Sequence, residues 1–329
     1  MPLPRPVLIA VLLGCISSAS AAAQALILDA KIPLGDVRGR IDHLALDVSR
    51  QRLYVAELGN NSLGVVDLRA RRTLSTIRGL SEPQGVGYVP STDTIWVANG
   101  GDGTLRLFRG EKGQPDGVLP LGNDADNVRV DAKANRVYVG YGSGHIAIFD
   151  AYARTKLGEI ALKAHPEGFQ PDASARHLYV NVPDAHQIAV IDLAGERQSE
   201  TWANEGAAAA NFPLALDPDD SRVLVGFRSP ATLIAYDMGT GRQWSRVSIC
   251  GDADDIAWVR ERHLAYVSCG EGLIDVIGFS NDHMQRIERV TTARGARTLL
   301  FLAELDRIYA AIPASGQVPA AIWVLRPGP

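Results

Sequence analysis

Two short stretches concentrate carboxylates where a chain turn needs only one small polar residue. They are Gly122-Asn123-Asp124-Ala125-Asp126-Asn127-Val128 and its near copy Cys250-Gly251-Asp252-Ala253-Asp254-Asp255-Ile256. Carboxylates brought face to face raise one another's pKa or hold a cation. An oxygen-only ligand set suits Ca2+ or Mg2+ better than Zn2+. Asp126, Glu167 and Asp254 are the candidate cation ligands on this reasoning. Arg297 could clamp a substrate carboxylate or pair with one of the acids. Taken singly, each acid could equally cap a strand end by accepting backbone N–H bonds, so the case for a site rests on where the acids meet. Nucleophilic machinery is not evident. Gly140-Tyr141-Gly142-Ser143-Gly144 has its serine displaced from a nucleophile elbow. The chain has no His-Glu-x-x-His and no Cys-x-x-Cys-His.

A repeat positions these stretches. Beyond Ala25 one pattern recurs about every forty residues, the period range of propeller blades. A unit reads as a short apolar strand (Ile41-Asp42-His43-Leu44-Ala45-Leu46-Asp47), a polar turn, and a strand with an aromatic second residue (Leu53-Tyr54-Val55-Ala56). A Gly/Asn turn follows, then Leu63-Gly64-Val65-Val66-Asp67-Leu68, a second polar turn, and Thr73-Leu74-Ser75-Thr76-Ile77. The second strand returns as Ile95-Trp96-Val97-Ala98, Val137-Tyr138-Val139-Gly140, Leu178-Tyr179-Val180-Asn181 and Ala265-Tyr266-Val267-Ser268. The third strand ends in aspartate at Asp67, Asp150, Asp192 and Asp237. Seven units can be counted; the last lacks a fourth strand, and Leu26-Ile27-Leu28-Asp29-Ala30-Lys31-Ile32 supplies a spare one. The pattern predicts an all-β chain, a seven-bladed β-propeller of four-stranded antiparallel blades, with the N-terminal strand completing the last blade and closing the ring. Residues 26–329 would form this one domain.

In such a ring the first strand of each blade runs nearest the axis and strand directions alternate. The crossovers between blades then share one face with the turns joining second and third strands. Most of the unusual residues fall on that face. The candidate ligand-binding set is His43, Gln84, Asp126, Asn127, His165, Glu167, His186, Asn211, Arg228, Asp254, Asp255 and Arg297. Polar groups converging on a concave mouth make the default binding-site hypothesis. Cys250 and Cys269 would lie at the same rim, either bonded or as two separate buried thiols.

The N-terminus reads as an export signal over residues 1–25. Arg5 precedes the apolar run Val7 to Gly14, and small residues follow to Ala25. A lipid anchor on Cys15 is the minority alternative. The run is too short to span a bilayer, no other stretch is long and apolar enough, and a periplasmic or secreted protein is expected. Formal net charge is −4, which argues against a phosphate-backbone binder. The motif of Trp96-Val97-Ala98-Asn99 followed by a turn and an apolar strand, in other units ending in aspartate, resembles the YVTN family of bacterial exported propellers, which includes YncE-like proteins. The resemblance spans nearly all of residues 26–329, although units four to seven lose the asparagine. It implies the fold and export but no activity. Three functions fit: a monomeric binding or scaffold protein for a small molecule, cation or protein partner; a metal-assisted lactonase-like hydrolase; or an accessory subunit of a periplasmic redox complex.

Overall fold

The structure, a computed structural model, describes Met1 and residues 26–328 except 111, 205 and 220. The export signal and Cys15 lie outside the described residues. Seven four-stranded antiparallel sheets form a seven-bladed β-propeller. Blade 1 comprises Leu44–Asp47, Arg52–Glu57, Ser62–Asp67 and Arg72–Arg78, and the next five blades repeat that order. Among the described residues the only helical segments are four three-residue 3-10 turns.

Leu26–Pro33 pairs antiparallel with Ala321–Pro327, in one sheet with Arg307–Ile312 and Thr298–Leu302. It is therefore the fourth strand of blade 7. A second observation supports this assignment. Among the described residues, every pairing of a third with a fourth strand carries a register shift at the same place. The extra residues are Leu74, Asp116, Leu157, Ser199, Trp244 and Ile287 in blades 1 to 6, and Asp29 in the closing strand. Such bulges bend the strand and increase its twist. Asp29 also reaches Arg307 in its own blade (3.3 Å) and Arg71 in blade 1 (3.4 Å), so its carboxylate straddles the closure.

No core fills the centre of the ring. The buried side chains form seven clusters, each built from two neighbouring blades. Strand side chains alternate in direction, and here both directions are apolar. Ile188 and Val190 pack toward blade 5, while Ala189 and Ile191 pack toward blade 3. The repeated aromatic fills these interfaces: Tyr54 packs on Tyr88 of blade 2 at 5.7 Å and Trp96 on Phe149 of blade 3 at 5.8 Å. The repeated aspartates hold the turns, with Asp67 and Asp237 each accepting a turn N–H at 2.8 Å.

The ring is thus held by side chains facing between blades, and the seventh interface is no weaker in kind than the others. Ile32 and Ile322, both fully buried, fill the cluster that joins blade 7 to blade 1. Each change to alanine should cost about 2–5 kcal/mol in urea unfolding. An Ile32→Ala variant as stable as wild type would contradict closure by this strand.

Candidate functional site

The crossovers share a local device. Asp124 and Asp252 both adopt the left-handed backbone (φ 52° and 61°), turning the chain toward the axis. The next residue, Ala125 or Ala253, is fully buried. The one after it, Asp126 or Asp254, is delivered to the axis. Blade 1 follows the same layout in Arg40-Ile41-Asp42-His43, with Ile41 buried, and blade 4 in His165-Pro166-Glu167-Gly168. Backbone hydrogen bonds fix the equivalence. The N–H groups of Asp42, Asp126 and Glu167 donate to Ala56, Gly140 and Asn181 carbonyls at 2.8, 3.0 and 2.9 Å. The N–H groups of those three donate back to His43, Asn127 and Gly168 at 3.1, 3.0 and 2.9 Å.

Five carboxyl groups, those of Asp42, Asp126, Glu167, Asp254 and Asp255, line one axial cavity together with Arg40, His43, Asn127 and Arg129. Its free space is about 20 Å3, enough for one water or ion. Asp126 is the ionised member. Burial pushes it up, but the neighbouring His165, His43 and Arg40 bring it below the usual carboxylate value. Its oxygens lie 3.8 Å from His43 Nε2 and 3.8 Å from His165 Nε2. Around it the other acids resist ionising. Burial raises Asp42 to about 7 against the pull of Arg40. Burial, then the Asp126 charge, raises Glu167 to about 8. Burial raises Asp254 to about 6, with Arg228 opposing. Burial and the adjacent Asp254 hold Asp255 well above its ordinary value. Burial, then Arg129, lowers His43 to about 4, so its imidazole is neutral. Burial opposes charge on His165 as well, yet Asp126 and the Gly142 carbonyl outweigh it and raise the ring to about 9.

Of the sequence candidates, His43, Asp126, Asn127, Glu167, Asp254 and Asp255 line this cavity, and His165 reaches it through Asp126. Arg228 braces it from outside: its guanidinium stacks on Phe212 at 3.5 Å and hydrogen-bonds Asp254. Four candidates lie elsewhere. Asn211 sits one residue before the axial position: Leu214 pairs with Val225 as Val128 pairs with Val139, which aligns Asn211 with Ala125 and Phe212 with Asp126. Its fully buried amide bonds Asn181, Gln187 and Asn204, and Phe212 takes the axial place. His186 caps an outer turn and is exposed. Gln84 bonds Asp124 at 3.4 Å outside the cavity, and Arg297 is drawn off to Asp252 at 2.7 Å. Sequence reasoning left out Arg40, Asp42 and Arg129. Aligning Arg40-Ile41-Asp42 on Asp124-Ala125-Asp126 would have found Asp42; Arg129, two residues into its strand, carries no such signal.

Cys250 and Cys269 are bonded, with Cα atoms 5.8 Å apart. Closing a loop of 19 residues constrains the unfolded chain by about 3 kcal/mol. The fully buried Asp275 accepts the Cys250 N–H at 2.8 Å and pairs with Arg289 at 2.6 Å, so the crossover into blade 6 is held twice. On the opposite face a wider funnel of about 900 Å3 opens between Leu214, Leu216, Trp258 and Phe301, and Arg129 and Asp255 line both spaces. Its other acids are engaged in turns: Asp131 accepts two turn N–H bonds at 3.0 Å and Asp172 accepts those of Ser174 and Arg176 at 3.0 Å. The smaller acidic mouth therefore holds the unassigned chemistry.

Ring and mouth define a class: a seven-bladed β-propeller with an acidic axial cavity on one face. No family model and no curated protein matches the sequence. Solved structures match the fold. A chain of the mitotic checkpoint complex aligns with TM-score 0.78 at 10% identity over 98% of this chain and 99% of its own length. A chain of Kuenenia stuttgartiensis hydrazine synthase aligns with TM-score 0.74 at 14% identity over 84% of this chain and 93% of its own. At such identities the likeness is of fold alone. Among the described residues no helix is long and apolar enough to cross a membrane.

The electrostatics of the mouth make a pH prediction. A carboxyl raised by folding stabilises the fold below its unfolded pKa, and that contribution is lost as pH rises through the folded value. For Asp42 the window runs from 3.8 to about 7. In metal-free protein the melting temperature of wild type minus that of Asp42→Asn should fall by a few degrees across this window. A constant difference would contradict a buried, uncharged Asp42.

Proposed function

We propose that this protein is an exported binding or scaffold propeller, of the YVTN-like kind its repeat resembles, whose axial mouth holds a cation or a small cationic ligand. One observation carries the reading: five carboxyl groups from four blades converge on a space the size of a water molecule, and Asn127 Oδ1 lies buried there without a hydrogen-bond partner among the described residues. Buried polar oxygens are normally satisfied, and carboxyls crowded at such range either stay protonated or hold a cation. The disulfide fits an oxidising compartment, in agreement with the signal read in residues 1–25. A scaffold role is in keeping with the likeness to a chain of a protein complex.

The test is elemental analysis and mass spectrometry of protein isolated from its native compartment. Wild type should carry about one cation or small cationic molecule per chain, and the Asp126→Asn/Glu167→Gln double variant should carry none. Equal contents in the two proteins would refute an axial site. Cation-dependent opening of a lactone panel by wild type, lost in the double variant, would convert the binding reading into the hydrolase one.

A further inference from the structure

The two near-copy crossovers place equivalent acids at the axis, but the acids have different partners. Asp254 is neutralised by Arg228, which extends from the end of the second strand in the preceding blade. In the repeat, Gly100 occupies the place of Arg228 one blade before Asp126. No arginine can reach Asp126 from there, and His165 meets it instead.

Asp126, His165 and Glu167 each offer one ligand atom within 4.8 Å of the others. His165 and Glu167 flank Pro166, which biases the residue before it toward extended backbone. Residues two apart on an extended chain face the same side. The imidazole is also oriented. His165 Nδ1 lies 2.6 Å from the Gly142 carbonyl oxygen, an atom that can only accept. Nδ1 therefore keeps a proton, and a metal ion that displaces the Nε2 proton would find that lone pair facing Asp126. Metal-ligating histidines are held in this way, with the second ring nitrogen donating to a carbonyl or carboxylate. A fourth donor is available. Asn127 is 2% exposed, lines the same cavity, and its Oδ1 has no hydrogen-bond partner among the described residues.

Resting on the axial-site reading above, we infer that Asp126, His165 and Glu167, with Asn127 Oδ1 beside them, form a site for one divalent transition-metal ion of the Zn2+ or Co2+ class. The donor set selects the ion. Ca2+ takes six to eight oxygen ligands, more than this corner of the cavity provides, and Mg2+ avoids nitrogen. One imidazole with two carboxylates and an amide oxygen suits Zn2+ and its neighbours. This reverses the oxygen-only expectation drawn from Asp126, Glu167 and Asp254. It adds His165 and leaves Asp254 to Arg228.

The test is calorimetric titration of chelator-stripped, tag-free protein with Zn2+, and with Co2+ followed by visible absorption. Wild type should bind one ion per chain. His165→Gln and Glu167→Gln should each weaken binding at least tenfold, the scale on which perturbed metal sites respond. His186→Gln, on the outer turn, should bind as wild type does. Melting curves of the stripped variants show that each is folded, and added Zn2+ should raise the melting temperature of wild type but not of His165→Gln. Two results would overturn the inference and separate it from the broader reading. Binding of Ca2+ or Mg2+ that is lost in Asp126→Asn and indifferent to His165→Gln leaves a cation mouth without a transition-metal site. Absence of binding by any of the four ions overturns the inference and leaves only the small-cationic-ligand form of the broader reading.

Discussion

Like charges crowded at an axis that no core fills are the constraint on which this molecule turns. A propeller packs its sheets against one another, so hydrophobic burial is spent between blades and the centre receives whatever the crossovers deliver. Here they deliver five carboxyl groups into about 20 Å3. The protein answers with arginine and histidine neighbours, with protonation, and with hydrogen bonds from outside. Arg40 lies 3.0 Å from Asp42, Arg228 holds Asp254, and the Leu299 N–H donates to Asp255 at 3.0 Å. Beside Asp126 the answer is incomplete, for Asn127 Oδ1 has no hydrogen-bond partner among the described residues.

That inequality explains why two nearly identical sequences do different work. Both crossovers use a left-handed aspartate, a fully buried alanine and an axial aspartate. The blade 6 copy is the more firmly built, with the Cys250–Cys269 bond behind it and the Asp275–Arg289 pair beneath. Its carboxylates are consumed by arginine and backbone. The blade 3 copy faces a histidine whose ring is set by Gly142 and an asparagine oxygen that none of the described residues satisfies. Rigid support on one side and an open valence on the other is the division of labour expected of a site built on a symmetric frame.

Much of this was legible in the sequence because it is periodic. The aromatic of six of the seven second strands, seen in Tyr54, Trp96 and Tyr138, marks an interface residue, and the aspartates at Asp67 and Asp237 mark turns they hold by backbone bonds. The spare strand from Leu26 to Ile32 was readable as the missing piece of the last blade, and pairs there. The axial tier was readable only in part. Asn211 misled because the polar residue of its crossover falls one place early, where Ala125 stands in blade 3, and leaves Phe212 at the axis. Asp42 was passed over for His43, although the buried Ile41 before it matches Ala125. Which acid meets which base was not legible: Arg228 and Asp254 are 26 residues apart and Arg297 and Asp252 are 45. Those distances are set by the rotation from blade to blade.

The central claim is that the unsatisfied corner of the axis is a cation site on blades 3 and 4. Anomalous diffraction from crystals soaked in Zn2+, recorded above and below the zinc edge, tests it most directly. The account predicts one strong peak about 2.0–2.2 Å from His165 Nε2 and from oxygens of Asp126 and Glu167. A peak confined to surface histidines such as His186, with the axis empty, would contradict it.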